Sequence, residues 1–361
     1  MFHNIDLEAL AEQQGPERTF LSLYLSGPEA MASLEQRIHK VRELLDDSDE
    51  LEHFEENLAL IQDFLDTHDF DAGALCVFAC WMTDYLQAYA LEKGVPDLLW
   101  IDSSPYIRPI AELQDEYENF VVVAADNTDT QVYFVTSAVA REQDTIKGEV
   151  KNPVKKGGWS QQRYARRREH ELLHYAKEVA EVLADLEKRK SFDRLFFVGS
   201  DEAMKAIEEG LPEHLATKLA GKQAVDLYQE DEIWDAAFDM FTKEERAAEE
   251  TLWEKIKAEY LREGLAAAGA AEVLEAAAVG RVEKMIVTRD AKIAGLRCRD
   301  CENLSAKVPE SCPVCGSPSV FKVDLVNELV ELLAMSSAET EFADPIGGLS
   351  KVGDVAALLR Y

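Results

Sequence analysis

Four cysteines towards the C-terminal end constrain the local fold of this chain more tightly than any other feature. They stand as Cys298-x2-Cys301-x10-Cys312-x2-Cys315. Each CxxC makes a tight turn that presents two thiolates, and two such knuckles close a tetrahedron around Zn²⁺. Pro313 and Gly316 supply turn residues. Four thiolates leave no position for water, so the expected zinc is structural rather than catalytic. Its binding energy would fold a ribbon, about 296–321, too small to hold a core of its own. The other two cysteines, Cys76 and Cys80, lie on an apolar run and are expected to pack as small hydrophobes.

At 361 residues the chain exceeds one ordinary core, and length alone suggests two or three domains. TFLSLYLS (19–26) reads as a strand, followed by helical spacing over 31–45 and 51–65 with an acidic DDSDE turn between. ALCVFACW (74–81) is a short buried strand, and segment 98–111, with Pro105 and Pro109, closes the first domain. A hairpin over 117–125 and 131–135, a helix from about Arg163 to Lys190 and a strand RLFFVGS (194–200) suggest an α/β middle domain. Residues 233–261 are strongly helical. VEKMIVT (282–288) reads as a strand, 326–334 as a helix and VAALLRY as a last strand. The expected class is α/β, with an α+β N-terminal domain (1–113), a middle domain (114–227) and a C-terminal domain (228–361) carrying the ribbon.

Charge is distributed against the trend in one place. The formal net charge is −32, yet Lys147 to Arg168, KGEVKNPVKKGGWSQQRYARRR, carries eight Lys/Arg and one acid. The acidic remainder argues against general affinity for nucleic acid or membranes, while the local cations suit a polyanion. Gly157 and Gly158 at its centre let the backbone approach a ligand closely. No apolar run approaches the roughly 20 residues that span a bilayer. The first residues lack a basic segment followed by an apolar one, so a cytoplasmic location is expected. His170-Glu171-Leu172-Leu173-His174 spells HExxH on the helix that follows, which raises a zinc metalloprotease as a minor alternative. The preceding Arg166, Arg167 and Arg168 and the lack of an obvious third histidine ligand favour ordinary surface histidines.

Taken together, GGWSQQRYARRR (157–168) resembles the Gly-Gly-Gln-Ser and Arg-Phe-Ala-Arg signature of the archaeal and eukaryotic class I peptide chain release factors. The chain is similar to a divergent bacterial or archaeal branch of that family. TFLSLYLS, FVVVAADN, RLFFVGSDE, the four-cysteine ribbon and GGLSKVGDVAALLRY extend the resemblance along its length. Two departures stand out. Trp159 and Ser160 separate the glycines from Gln161, and DDSDE occupies the place of the stop-codon-reading Asn-Ile-Lys-Ser.

The resemblance implies a three-domain factor, monomeric off the ribosome, that enters the ribosomal A site and meets a translational GTPase. Gly157, Gly158 and Gln161 would then act on P-site peptidyl-tRNA, the glutamine positioning water and stabilising oxyanion charge. Lys151, Lys155, Lys156, Arg163, Arg166, Arg167 and Arg168 would neutralise rRNA or tRNA phosphates, and Trp159 would stack on an unpaired base. Stop-codon-independent rescue by ester hydrolysis is the first expectation. A non-hydrolytic A-site plug, a ribosome hibernation factor, is the alternative. An RNA-binding zinc-ribbon protein unrelated to the ribosome is a third.

Overall fold

The computed structural model describes residues 5–68, 73–91, 95–116, 119–126, 130–135, 144–146 and 161–361, excluding the side chains of 28, 144–146, 161–173 and 230. These form two compact units: Met1–Asp115 with Glu249–Tyr361, and Glu116–Ala248. Sequence alone divides the chain at 113/114 and 227/228. The compact units change at 115/116 and 248/249, and the two ends of the chain share one of them.

The N-terminal part of the first unit runs α1 (Leu7–Ala11), β1 (Phe20–Leu25), α2 (Met31–Leu44), α3 (Ser48–Thr67), β2 (Ala74–Cys80), β3 (Tyr85–Leu91), β4 (Leu98–Asp102) and α4 (Arg108–Glu116). Its antiparallel sheet has the order β3-β2-β1-β4. Successive side chains of a strand point to opposite faces. Leu21, Leu23 and Leu25 therefore meet Leu34 and Ile38 of α2 and Phe54, Leu58 and Ile61 of α3. Each such buried side chain contributes about 1.5–3 kcal/mol. Ser22 and Tyr24 serve the opposite face: the Ser22 hydroxyl accepts the Tyr106 N–H at 2.9 Å, and the Tyr24 hydroxyl donates to the Tyr106 carbonyl. Burial on both faces explains why TFLSLYLS alternates only loosely.

The second unit contains β5 (Phe120–Ala125), β6 (Thr130–Val135), β7 (Asp144–Ile146), α5 (Gln161–Arg189), β8 (Arg194–Gly199), α6 (Asp201–Gly210), α7 (Glu213–Ala216), β9 (Leu219–Ala224) and the first half of α8 (Glu230–Leu261). Its sheet order is β7-β6-β5-β8-β9, with β5, β8 and β9 parallel. Val121, Val123, Leu195 and Phe197 pack beneath α5 and α6. Phe120, Val122, Phe196 and Val198 pack against Ile233, Trp234, Ala237 and Phe241 of α8. A sheet covered on both faces requires near-continuous apolar strands, as FVVVAA and LFFV are. Edge strand β9, LAGKQA, carries no such signal and is not evident from sequence.

The C-terminal part adds β10 (Ala266–Ala268), α9 (Ala270–Ala278), β11 (Val282–Thr288), β12 (Ala294–Cys298), β13 (Leu304–Ser305), β14 (Val320–Asp324), α10 (Leu325–Met335), β15 (Glu339–Ala343) and β16 (Val355–Leu359). β16 lies inside the sheet β10-β16-β11-β15, so the last strand of the chain is central rather than an edge. It reaches that place through a close approach. A Cβ on Gly348 would sit 2.5 Å from the Trp253 indole nitrogen, so a larger residue would push Trp253 out of the core it shares with Ile256, Ile286 and Ala356.

Candidate functional site

The four cysteines converge. Their sulfurs all lie within 4.8 Å of one another, and no other group of three or more His, Cys, Asp or Glu among the described residues gathers ligand atoms in this way. Cys298 and Cys315 Sγ are 3.5 Å apart, and Cys301 and Cys312 Sγ are 3.6 Å apart. Four metal–thiolate bonds of about 2.3 Å in a tetrahedron put sulfurs about 3.8 Å apart, so the cluster has the size of a metal centre. The sheet β13-β12-β14 carries the first knuckle at the end of β12. Both knuckles close alike: the Glu302 N–H donates to the Cys298 carbonyl at 3.0 Å and the Gly316 N–H to the Cys312 carbonyl at 2.9 Å. Both residues adopt positive φ, 57° at Glu302 and 76° at Gly316. Glycine fits that conformation without strain and glutamate does not. Backbone N–H groups of Cys315 and Val314 directed at Cys312 draw its thiol down to about 6, towards the ligating thiolate form.

Around the ribbon lies a polar network that sequence reading missed. Arg299, inside the first CxxC, donates to Glu50 and to Glu17 (3.1 Å), and Arg18 reaches the other Glu50 oxygen at 2.9 Å. Glu50 belongs to the DDSDE stretch. That stretch is more than a solvated turn: Asp47 caps α3 by accepting the Asp49 and Glu50 N–H groups, which hold its carboxyl below the usual range. Glu50 itself is buried. An Arg between the two cysteines of a CxxC was the available signal, although it does not name its partner.

A second network fixes α4. The Asn327 side-chain oxygen on α10 accepts the Ile107 and Arg108 N–H groups at 2.8 and 3.0 Å, supplying the cap that α4 lacks locally. Asn327 and Ser104 both donate to Glu331, at 2.6 and 2.7 Å. Burial, then the nearby Glu328 charge, pushes the Glu331 carboxyl well up. Glu328, in ion pair with Arg297, is raised to about 7 because burial outweighs that pairing. Arg108 binds Glu112 at 2.7 Å and Asp324 at 3.0 Å.

The remaining expected site residues fall differently. Lys151, Lys155, Lys156, Gly157, Gly158 and Trp159 lie outside the described residues. Gln161 opens α5, and its side chain and those of Arg163, Arg166, Arg167 and Arg168 lie outside the description too. Further along α5, Ala176, Val179, Leu183 and Leu186 form the buried stripe that seats this helix on the sheet. Of HELLH, His174 is exposed and its Nδ1 lies 3.1 Å from Glu178, the arrangement of a surface histidine. Cys76 and Cys80 are fully buried in β2, and burial pushes the Cys76 thiol up to about 12.

Residues 105–238, most of the middle unit, match the family model of "Bacterial archaeo-eukaryotic release factor family 10". Over these residues the chain is similar to a divergent release-factor-like family. Peptide chain release factor subunit 1 of Archaeoglobus fulgidus is 24% identical over 72% of this chain and 70% of its own length. That of Methanocaldococcus jannaschii is 26% identical over 77% and 75%. Among solved structures, archaeal Pelota in a model of its ribosome-bound state aligns over 76% of this chain and 72% of that one at 17% identity, with a TM-score of 0.43. No helix among the described residues is long and apolar enough to cross a membrane.

Proposed function

We infer that this release-factor-like protein binds the ribosomal A site and rescues stalled ribosomes without reading a stop codon, hydrolysing the peptidyl-tRNA ester. The family match supports it, because the matched residues 105–238 include the whole stretch from Lys147 to Arg168. In this reading Gly157 and Gly158 bring the backbone against the tRNA end, and Gln161 orients water and stabilises developing negative charge. The stretch holds no general base, so rate comes from orientation and electrostatics. Lys155, Lys156, Arg163, Arg166, Arg167 and Arg168 bind phosphates, and Trp159 stacks on an unpaired base.

Independence from stop codons rests on the N-terminal unit. Where the family reads mRNA with Asn-Ile-Lys-Ser, this chain has an acidic turn whose Glu50 is engaged by Arg18 and Arg299. Carboxylates repel a phosphate backbone. The four-cysteine cluster takes Zn²⁺ as a structural ion, all four positions being thiolate. The partner proposed here is a translational GTPase, as the resemblance to release factors implies.

Trp159 and Ser160, placed before Gln161, favour a second reading in which the same docking ends in occupation, as in a hibernation factor. Single-turnover release of a labelled nascent peptide from stalled ribosomes separates the two. Release that is lost in Gln161→Ala supports hydrolysis. Tight ribosome binding without release establishes the plug, and failure to co-sediment with ribosomes removes both.

A further inference from the structure

A groove of about 750 Å³ opens in the first unit between β4, the start of α4, residues 289–294 and β14. β4 and β14 are each the edge strand of their sheet. Along β4, Leu99 and Ile101 turn towards α2 and α3, so Leu98 and Trp100 turn the other way and line the groove. There Trp100 stacks on Tyr106, with ring centroids 4.6 Å apart and planes inclined by 27°. The polar atoms of both rings are already engaged. The indole N–H donates to Asp102 at 3.1 Å and the phenol O–H to Asp324 at 2.7 Å. These bonds fix the pair in place, and a ligand meets a preset aromatic surface flanked by Pro96, Leu98 and Pro109.

The cations of the groove divide into two kinds. Arg108 is held by Glu112 and Asp324, and Arg289 donates to the Phe342 carbonyl at 2.8 Å, so both guanidinium groups are engaged within the protein. Lys292 and Lys322 are exposed, and neither ammonium group has a hydrogen bond or ion pair among the described residues. Two uncommitted ammonium groups beside a rigid aromatic stack are unusual on a chain of net charge −32. An apolar ligand would gain nothing from the lysines, and an inorganic anion nothing from the rings. A flat base joined to a phosphate uses both.

We propose that this groove binds a nucleotide, its base against the Trp100–Tyr106 pair and its phosphate at Lys292 and Lys322. A free mononucleotide and an unpaired nucleotide of an RNA strand share that chemistry. The assignment stands whether or not the protein binds ribosomes. Asp290, on the rim, opposes the phosphate and sets the sign of one control.

Titration of the full-length protein with AMP and with a short unpaired RNA oligonucleotide, at low and raised salt, tests this. Saturable binding that weakens with salt is expected. Lys292→Ala with Lys322→Ala should weaken it about tenfold, and Trp100→Leu by a similar factor of about ten. Trp100→Phe keeps an aromatic face and should retain most of the affinity, which separates lost stacking from a loosened strand. Asp290→Asn should tighten binding. Equal affinity per site for AMP and RNA assigns a free nucleotide, whereas a marked preference for RNA assigns a strand. No saturable binding of either ligand, or a lysine double variant that binds as the wild type does, overturns the proposal.

Discussion

The two groups of cysteines show how little a residue type means apart from its surroundings. Cys76 and Cys80 sit on one strand, both on the face opposite α2 and α3, inside a sheet that leaves them no solvent. Cys76 donates to the Tyr89 carbonyl at 3.7 Å, and Cys80 to the Thr19 hydroxyl at 3.5 Å. Desolvation keeps the Cys76 thiol neutral. Cys298, Cys301, Cys312 and Cys315 sit at two tight turns, where the Val314 N–H faces the Cys312 sulfur, and two of the four are exposed. A low-dielectric strand interior stabilises the Cys76 thiol, whereas N–H groups directed at Cys312 stabilise its thiolate.

The largest test of that contrast is removal of one knuckle. Structural metal sites of this type contribute on the order of 10 kcal/mol, so Cys298→Ser or a strong chelator should release the metal and unfold the ribbon. Metal content and protease cleavage within 296–321 report it; a ribbon that stays protected without metal would break the distinction. Arg299→Ala tests whether the ribbon also secures the N-terminal part. It leaves a buried Glu50 with Arg18 alone, and should cost about 2–3 kcal/mol in denaturant unfolding while metal content holds. Cys80→Ala should cost about 1–2 kcal/mol with no change in metal, since only packing is lost. A change in metal stoichiometry there would contradict the division.

The smallest effect is a pH dependence. The Cys76 thiol, ordinarily near 9, is raised to about 12 in the folded chain. Below pH 9 it is neutral folded or unfolded and contributes nothing. Between 9 and 12 the unfolded thiol ionises first, so stability falls as pH rises through that window. At pH 8 Cys76 should resist alkylation in the folded protein, while the ribbon cysteines react once chelation has unfolded the ribbon and dispersed the cluster. Mass-spectrometric mapping of the labelled cysteines checks this.

Local patterns made much of the fold legible. Continuous apolar runs marked β5 and β8 because both faces are covered, and helical spacing marked α2, α3 and α5 because one face is. β3, β9 and β15 escaped because edge strands bury one face or less and carry mixed residues. The segment 98–111 hid an edge strand and the start of α4, whose cap comes from Asn327 on α10, more than two hundred residues away. No window of sequence contains that information.

Sequence by itself determined which four cysteines come together, because the knuckle geometry is local and the CxxC spacing encodes it. It also determined the resemblance carried by Gly157 to Arg168, since a loop and the helix after it are contiguous in the chain. Only the tertiary structure decided that the two ends of the chain form one unit, that Glu50 belongs to Arg299, and that Trp100, Tyr106, Lys292 and Lys322 share one groove. Those pairings join residues far apart in sequence. The Glu50–Arg299 pairing exists because a buried charge needs a partner, and the groove exists because the fold brings two sheet edges together.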